Sequence, residues 1–272
     1  AVAADAGTFG IGDLDSGLSV RVGRYGTMVE DAEVVDGCRA IGFTLGTPGP
    51  SMVGIVDDVL ADRAFIAERR TSAAELAILS DLGPNASAPH YVADALAAAA
   101  LARSYGVTLA AVRQGLVDYT PQPHRMASVA EVGGVRWVDD SKATNPPAAQ
   151  ASLQAFDPVV WIAGGLLKGA EVDDLVRANA SRLRAAVLLG RDRGIIADAL
   201  AAHAPQVPVT VIETSDADEA MREAVAAANA AAQRGDTVLL APAAASLDMY
   251  ASYGARGDAF ADAVAALSGS GA

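Results

Sequence analysis

Cysteine is nearly absent from this chain of 272 residues: Cys38 stands alone. One thiol closes no internal disulfide and supplies no Cys-rich zinc site, which fits a reducing compartment. Positive charge is also scarce. Lys and Arg total 20 against 33 Asp and Glu, for a net charge of −13 and a pI near 4.5. Such a balance leaves no electrostatic footprint for nucleic acid or an anionic membrane surface. It does not exclude an anionic small molecule, because a local group of cations can bind one inside an acidic protein. The three histidines, His90, His124 and His203, show no metal-ligand spacing, so no metal site is expected. No apolar run approaches the ~20 residues of a membrane helix. The best candidate, residues 95–102, is flanked by Asp94 and Arg103. No basic stretch followed by an apolar one opens the sequence, so no secretory signal is expected.

What is abundant is small and apolar. Apolar residues reach 52% while aromatics reach 5%, a composition suited to Ala-rich helices packed on Val/Leu/Ile strands. Residues 1–36 are rich in Gly and Asp and stay unassigned. Residues 41–46 read as a strand ending in the turn Thr47-Pro48-Gly49-Pro50, and 52–66 as a hairpin around Asp57-Asp58. Residues 90–104 form an Ala/Leu-dense stretch without Gly or Pro, which predicts a helix, and Thr108 caps a second one to about Tyr119. The Pro-containing segment 119–124 marks the domain boundary, with a first domain over 1–122 and a second over 123–272.

Beyond the boundary, residues 125–132 and 135–138 read as a hairpin across Gly133-Gly134. Apolar runs at 158–163, 185–189, 209–212 and 237–240 then alternate with helical stretches at 146–156, 173–179, 192–203, 216–233 and from 246 onward. Strands alternating with helices of about 10–15 residues predict a parallel sheet built of βαβ units. Ligands collect at the carboxyl ends of such strands, which singles out three loops.

The first loop reads Asp139-Asp140-Ser141-Lys142-Ala143-Thr144-Asn145, the second Gly164-Gly165-Leu166-Leu167-Lys168-Gly169. Following residue 240 comes Ala241-Pro242-Ala243-Ala244-Ala245-Ser246-Leu247-Asp248, with Ser246 at the expected start of a helix. Read singly, each also fits a polar turn with solvated charges. Ser246 fits an N-cap, and His124-Arg125 a surface pair. No Gly-x-x-x-x-Gly-Lys-Ser/Thr loop and no Gly-x-Ser-x-Gly elbow occurs.

Taken in order, these segments resemble the Mur ligases, and within them the D-glutamate-adding branch. The carrying residues are Pro123-His124-Arg125, the Asp140-Ser141-Lys142-Ala143-Thr144-Asn145 string, Gly164-Gly165-Leu166-Leu167-Lys168-Gly169, the Ala241–Asp248 loop, Tyr253 and Arg256-Gly257. The match is strongest over 123–272 and looser back to about Cys38. It implies a Rossmann-like, doubly wound α/β domain that binds glutamate, preceded by the end of a central α/β ATPase domain. The implied reaction joins D-glutamate to UDP-N-acetylmuramoyl-L-alanine in peptidoglycan synthesis, with ATP and magnesium, through an acyl phosphate, in a cytoplasmic monomer. By the same resemblance Lys142 has an electrostatic catalytic role, and Thr144, Lys168, Ser246, Leu247 and Tyr253 meet the glutamate. Arg125 is expected at the ATP phosphates, Asp140 at the ribose, and His90 and Asp94 at the nucleotide. The sequence departs from the family where His90-Tyr91-Val92-Ala93-Asp94 replaces His-Asn-x-x-Asn, and where Asp139 stands for the usual Asn. It also lacks the phosphate loop, so it reads as the carboxyl-terminal half of such an enzyme, with little turnover expected from this chain alone. The alternatives are a non-catalytic nucleotide- or amino-acid-binding module and another amide ligase of the Mur/folylpolyglutamate superfamily.

Overall fold

The computed structural model describes residues 9–13, 18–22 and 39–269. The chain divides into two compact units, Ala1–Thr120 and Pro121–Ala272, parted inside the Pro-containing segment.

The first unit carries a six-stranded sheet in sequence order: β1 (Phe9–Asp13), β2 (Leu18–Val22), β3 (Arg39–Phe43), β4 (Met52–Val56), β5 (Val59–Asp62) and β6 (Ala74–Ile78). Of the unassigned residues 1–36, those described form β1 and β2; the rest lie outside the described residues. The hairpin read at 52–66 is β4 and β5, antiparallel across Asp57-Asp58, where Asp57 takes φ 56°. It stops at Asp62 because that buried carboxylate turns the chain. Its Oδ1 accepts from the amides of Ala64 and Phe65, and its Oδ2 from Arg103 Nε at 3.0 Å. Strand β6 has no counterpart in the sequence reading, since Ala-Glu-Leu-Ala-Ile has little intrinsic strand preference and gains its conformation by pairing with β5. Helix α1 (Pro89–Ser104) buries Val92, Ala95, Leu96, Ala99 and Ala100, a stripe at helical spacing. Helix α2 (Leu109–Asp118) begins at Thr108, whose hydroxyl accepts from the Ala111 amide at 3.2 Å.

The second unit is the doubly wound domain. A hairpin of β7 (Ala127–Val132) and β8 (Val135–Asp139) turns through Gly133 and Gly134, both left-handed, as a two-residue primed turn requires. Strands β9 (Val159–Ala163), β10 (Leu183–Leu188), β11 (Val209–Val211) and β12 (Thr237–Leu240) complete a sheet of order β11-β10-β9-β12-β8-β7, parallel except for β7. Alternate residues of β9 face opposite layers. Val159, Trp161 and Ala163 pack with α3 (Pro146–Leu153), α4 (Asp173–Asn179) and α5 (Arg193–His203). Val160 and Ile162 pack with α6 (Ala217–Ala231) and α7 (Tyr253–Gly269).

Strand β12 enters last and slots between β8 and β9, so the winding reverses there and the loops after β8, β9 and β12 converge. One expectation is corrected. The final helix does not start at Ser246: the amides of Met249 and Tyr250 bond its carbonyl in a single turn, and the chain then bends. The helix restarts at Tyr253 because Ser252 Oγ accepts from the Ala255 amide at 3.0 Å and caps it instead. Among the described residues no helix is long and apolar enough to cross a membrane.

Candidate functional site

The three loops at the carboxyl ends of β8, β9 and β12 are stitched into one surface. The Gly164 amide donates to Pro242 O at 2.9 Å, and Leu166 and Ala245 exchange both backbone bonds at 2.8 and 2.9 Å. The Ala243 amide, at φ 61°, donates to Ala143 O at 3.0 Å. Close packing against the loops after β10 and β12 is why two glycines follow β9. A Cβ on Gly164 would lie 1.8 Å from Leu189 O, and one on Gly165 would lie 2.2 Å from Ala245 O.

Arg256, in the first turn of α7, ties the same loops from beneath and is 2% exposed. Its Nε donates to Ser141 Oγ (2.9 Å) and its Nη2 to Ser141 O (2.9 Å), while Nη1 reaches Gly164 O (3.3 Å) and Ala244 O (3.1 Å). Ser141 Oγ in turn donates to Tyr253 O at 2.7 Å. All these acceptors are neutral. Burial pulls the guanidinium pKa down to about 10, against the opposing pull of Asp248, Tyr250 and Asp139. The buried guanidinium is thus held by neutral oxygens alone.

The carboxylates around it are turned onto backbone amides. Asp139 Oδ1 takes the Ser141 amide, Asp192 Oδ2 that of Leu167 and Asp248 Oδ2 that of Arg191, each at 2.8 Å. Asp140 Oδ1 takes the Met126 amide at 3.2 Å, and its Oδ2 takes the Ser152 hydroxyl. The cations stay presented. The chain has two lysines, and both are here. Lys142 Nζ stands 4.2 Å from the Tyr253 ring centroid, a cation–π contact. Lys168 is exposed, lifted by φ 54° at the tip of a turn closed by Ala170 N and Leu167 O. Both lysines of an acidic chain thus stand in loops at the carboxyl ends of β8 and β9.

The other expected residues distribute as follows. Thr144 is half-buried beside Ala143, Ser246 is buried beside the Leu166–Ala245 bridge, and Leu247 is 63% exposed. Arg125 is exposed between His124 and Met126, which adopt left-handed φ of 63° and 50°. Asp140, expected at a ribose, already holds Met126 and Ser152. His90 and Asp94 belong to α1 of the first unit, where Asp94 is exposed. Sequence reading gave no role to Ser141 or Asp139 and did not find the linking role of Arg256.

Among the described residues no three His, Cys, Asp or Glu side chains gather as a metal site. Arg125 is exposed, and no Gly-x-x-x-x-Gly-Lys-Ser/Thr phosphate loop exists in the sequence.

A family model described as "Mur ligase, glutamate ligase domain" matches residues 124–244. Over 240 residues the chain is 58% identical to a UDP-N-acetylmuramoylalanine–D-glutamate ligase of Streptomyces coelicolor, covering 88% of this chain and 50% of that one. A ligase of the same name from Thermobifida fusca is 59% identical over 229 residues, covering 84% and 49%. The chain thus spans about half the length of these curated relatives. Among solved structures, the UDP-N-acetylmuramoylalanyl-D-glutamyl-2,6-diaminopimelate–D-alanyl-D-alanyl ligase of Acinetobacter baumannii superposes with a TM-score of 0.55. It covers 92% of this chain and 51% of that one at 17% identity, a likeness of fold.

Proposed function

We propose, from the premise that this chain belongs to the Mur ligase family, that its second unit seats D-glutamate for addition to UDP-N-acetylmuramoyl-L-alanine, in the cytoplasm. One observation carries the proposal: three interlocked loops hold both lysines of an acidic chain at the carboxyl ends of neighbouring strands. D-Glutamate brings two carboxylates and an amine. Lys168 supplies an ammonium to one carboxylate, the Thr144 and Ser246 hydroxyls and the Leu247 amide donate to the remaining oxygens, and the Tyr253 ring closes one side. With both carboxylates tied down, the amine is left free to point at the reacting carbonyl carbon, which is the positioning component of catalysis. ATP, when bound, supplies the phosphoryl group that activates the L-alanyl carboxylate. Arg125 and Lys142 meet negative charge on that side, with Asp140 nearer the nucleoside; in the first unit, His90 and Asp94 are the nucleotide candidates.

The 272 residues contain no phosphate loop, so this chain by itself is expected to release little phosphate from ATP. That same lack favours a second reading, an amino-acid-binding module without turnover. Thermal unfolding of the chain with added D- or L-glutamate tests the site. The proposal requires D-glutamate to raise the midpoint and L-glutamate to raise it less; equal shifts would remove the substrate assignment.

A further inference from the structure

We infer that Asp139 is a positioning residue, which acts through His124 to set Lys142 against Tyr253. Asp139 is buried at the end of β8 and divides its two oxygens between the elements that flank Lys142. Oδ1 accepts from the Ser141 amide at 2.8 Å, holding the residue just before Lys142. Oδ2 lies 2.6 Å from His124 Nδ1, holding the segment that enters the domain. With a carboxylate as partner, Nδ1 carries the proton and donates it.

Once the His124 ring is held, its carbonyl accepts from the Lys142 amide at 3.1 Å, so Lys142 is gripped from both sides by groups that Asp139 orders. The ring also stands edge-on to Tyr253, 6.3 Å between centroids, on whose face Lys142 Nζ rests. No slack exists on the helix side. A Cβ on Gly257 would lie 2.1 Å from His124 Nδ1 and 2.6 Å from Asp139 Oδ2. The far nitrogen, Nε2, faces Asp258 Oδ1 at 3.6 Å. The clasp also presents Arg125: Asp139 holds His124 on one side of it, and Asp140 holds the Met126 amide on the other. The geometric claim stands on these contacts, while its value for catalysis rests on the function proposed above.

The test uses the chain with lysine labelled by 13C at Cε, which yields two signals because there are two lysines. Lys142 over the Tyr253 face should show a ring-current displacement that Lys168 lacks, with Lys142→Arg assigning the peaks. Asp139→Ala removes both bonds, so the Lys142 signal should move to the position of a free lysine while the Lys168 signal stays. Asp139→Asn keeps an acceptor for the Ser141 amide and offers an NH2 to His124. It should therefore preserve the Lys142 displacement while the His124 proton moves from Nδ1 to Nε2, visible in the imidazole 13C shifts. If Asp139→Ala does not fold, His124→Ala, which leaves the Ser141 bond in place, is expected to reduce the Lys142 displacement. An unchanged Lys142 signal in Asp139→Ala or His124→Ala, or equal movement of both lysine signals, would overturn the inference. Failure of D-glutamate to perturb either signal would instead count against the proposed substrate, leaving the positioning result intact.

Discussion

Replacing Arg256 with methionine removes a buried cation and leaves most of its volume filled. Four hydrogen bonds disappear, and Ser141, Gly164 and Ala244 lose a donor in the interior. Bonds from a charged donor contribute roughly 1.5–3 kcal/mol each, and an orphaned buried acceptor costs roughly 1–3 kcal/mol. Opposing this, the cation no longer has to be desolvated, a relief of several kcal/mol. The bonds prevail because four charge-assisted bonds vanish together and three loops lose their common tie, leaving buried oxygens without a donor. A net loss of about 2–5 kcal/mol is expected, a large part of the roughly 5–15 kcal/mol stability of a domain. Urea denaturation reads it as a lower midpoint at similar slope. Arg256→Lys, with fewer donors and less reach, should fall between the two. A methionine variant within about 1 kcal/mol of the parent would refute the reasoning, since burial of the charge would then cancel everything its bonds contribute.

Tyr250 donates its hydroxyl to Ala217 O at 2.7 Å, and burial raises its pKa above the ordinary value of 10. The unfolded chain therefore ionises this phenol first. Stability from Tyr250 is fully present below pH 10 and is lost as pH rises through the raised folded value, at up to about 1.4 kcal/mol per pH unit. Tyr250→Phe should be less stable at neutral pH but show a shallower alkaline loss in melts above pH 10. Lys168→Ala, at an exposed turn, should alter stability by less than about 0.5 kcal/mol, whereas calorimetric D-glutamate affinity should fall roughly 10- to 100-fold.

Much of the second unit is legible in the sequence because its signals are local. Gly133-Gly134 between apolar runs specifies a hairpin, and the unbroken apolar run of β9 specifies a strand covered on both faces. Asn145 before Pro146 announces α3, and its side chain does cap Ala148. The loops bearing Lys142 and Lys168 could be found by their place after strands. Other features are not local. Arg256 draws its acceptors from Ser141, 115 residues away, and Gly164, 92 residues away, so nothing near it in sequence advertises the link. Ser246 and Ser252 are equally good caps on paper; burial of the first beside the Leu166–Ala245 bridge leaves the helix to the second. Strand β6 needed its partner to declare itself.

The most direct measurement is a titration of the 13C-lysine-labelled chain with each enantiomer of glutamate. The account predicts that D-glutamate shifts the Lys168 signal directly and the Lys142 signal through the Tyr253 ring it rests on, along one saturating curve, and that L-glutamate produces a weaker response. Two unmoved signals, or identical curves for the two enantiomers, would contradict the claim that these loops form a D-glutamate site.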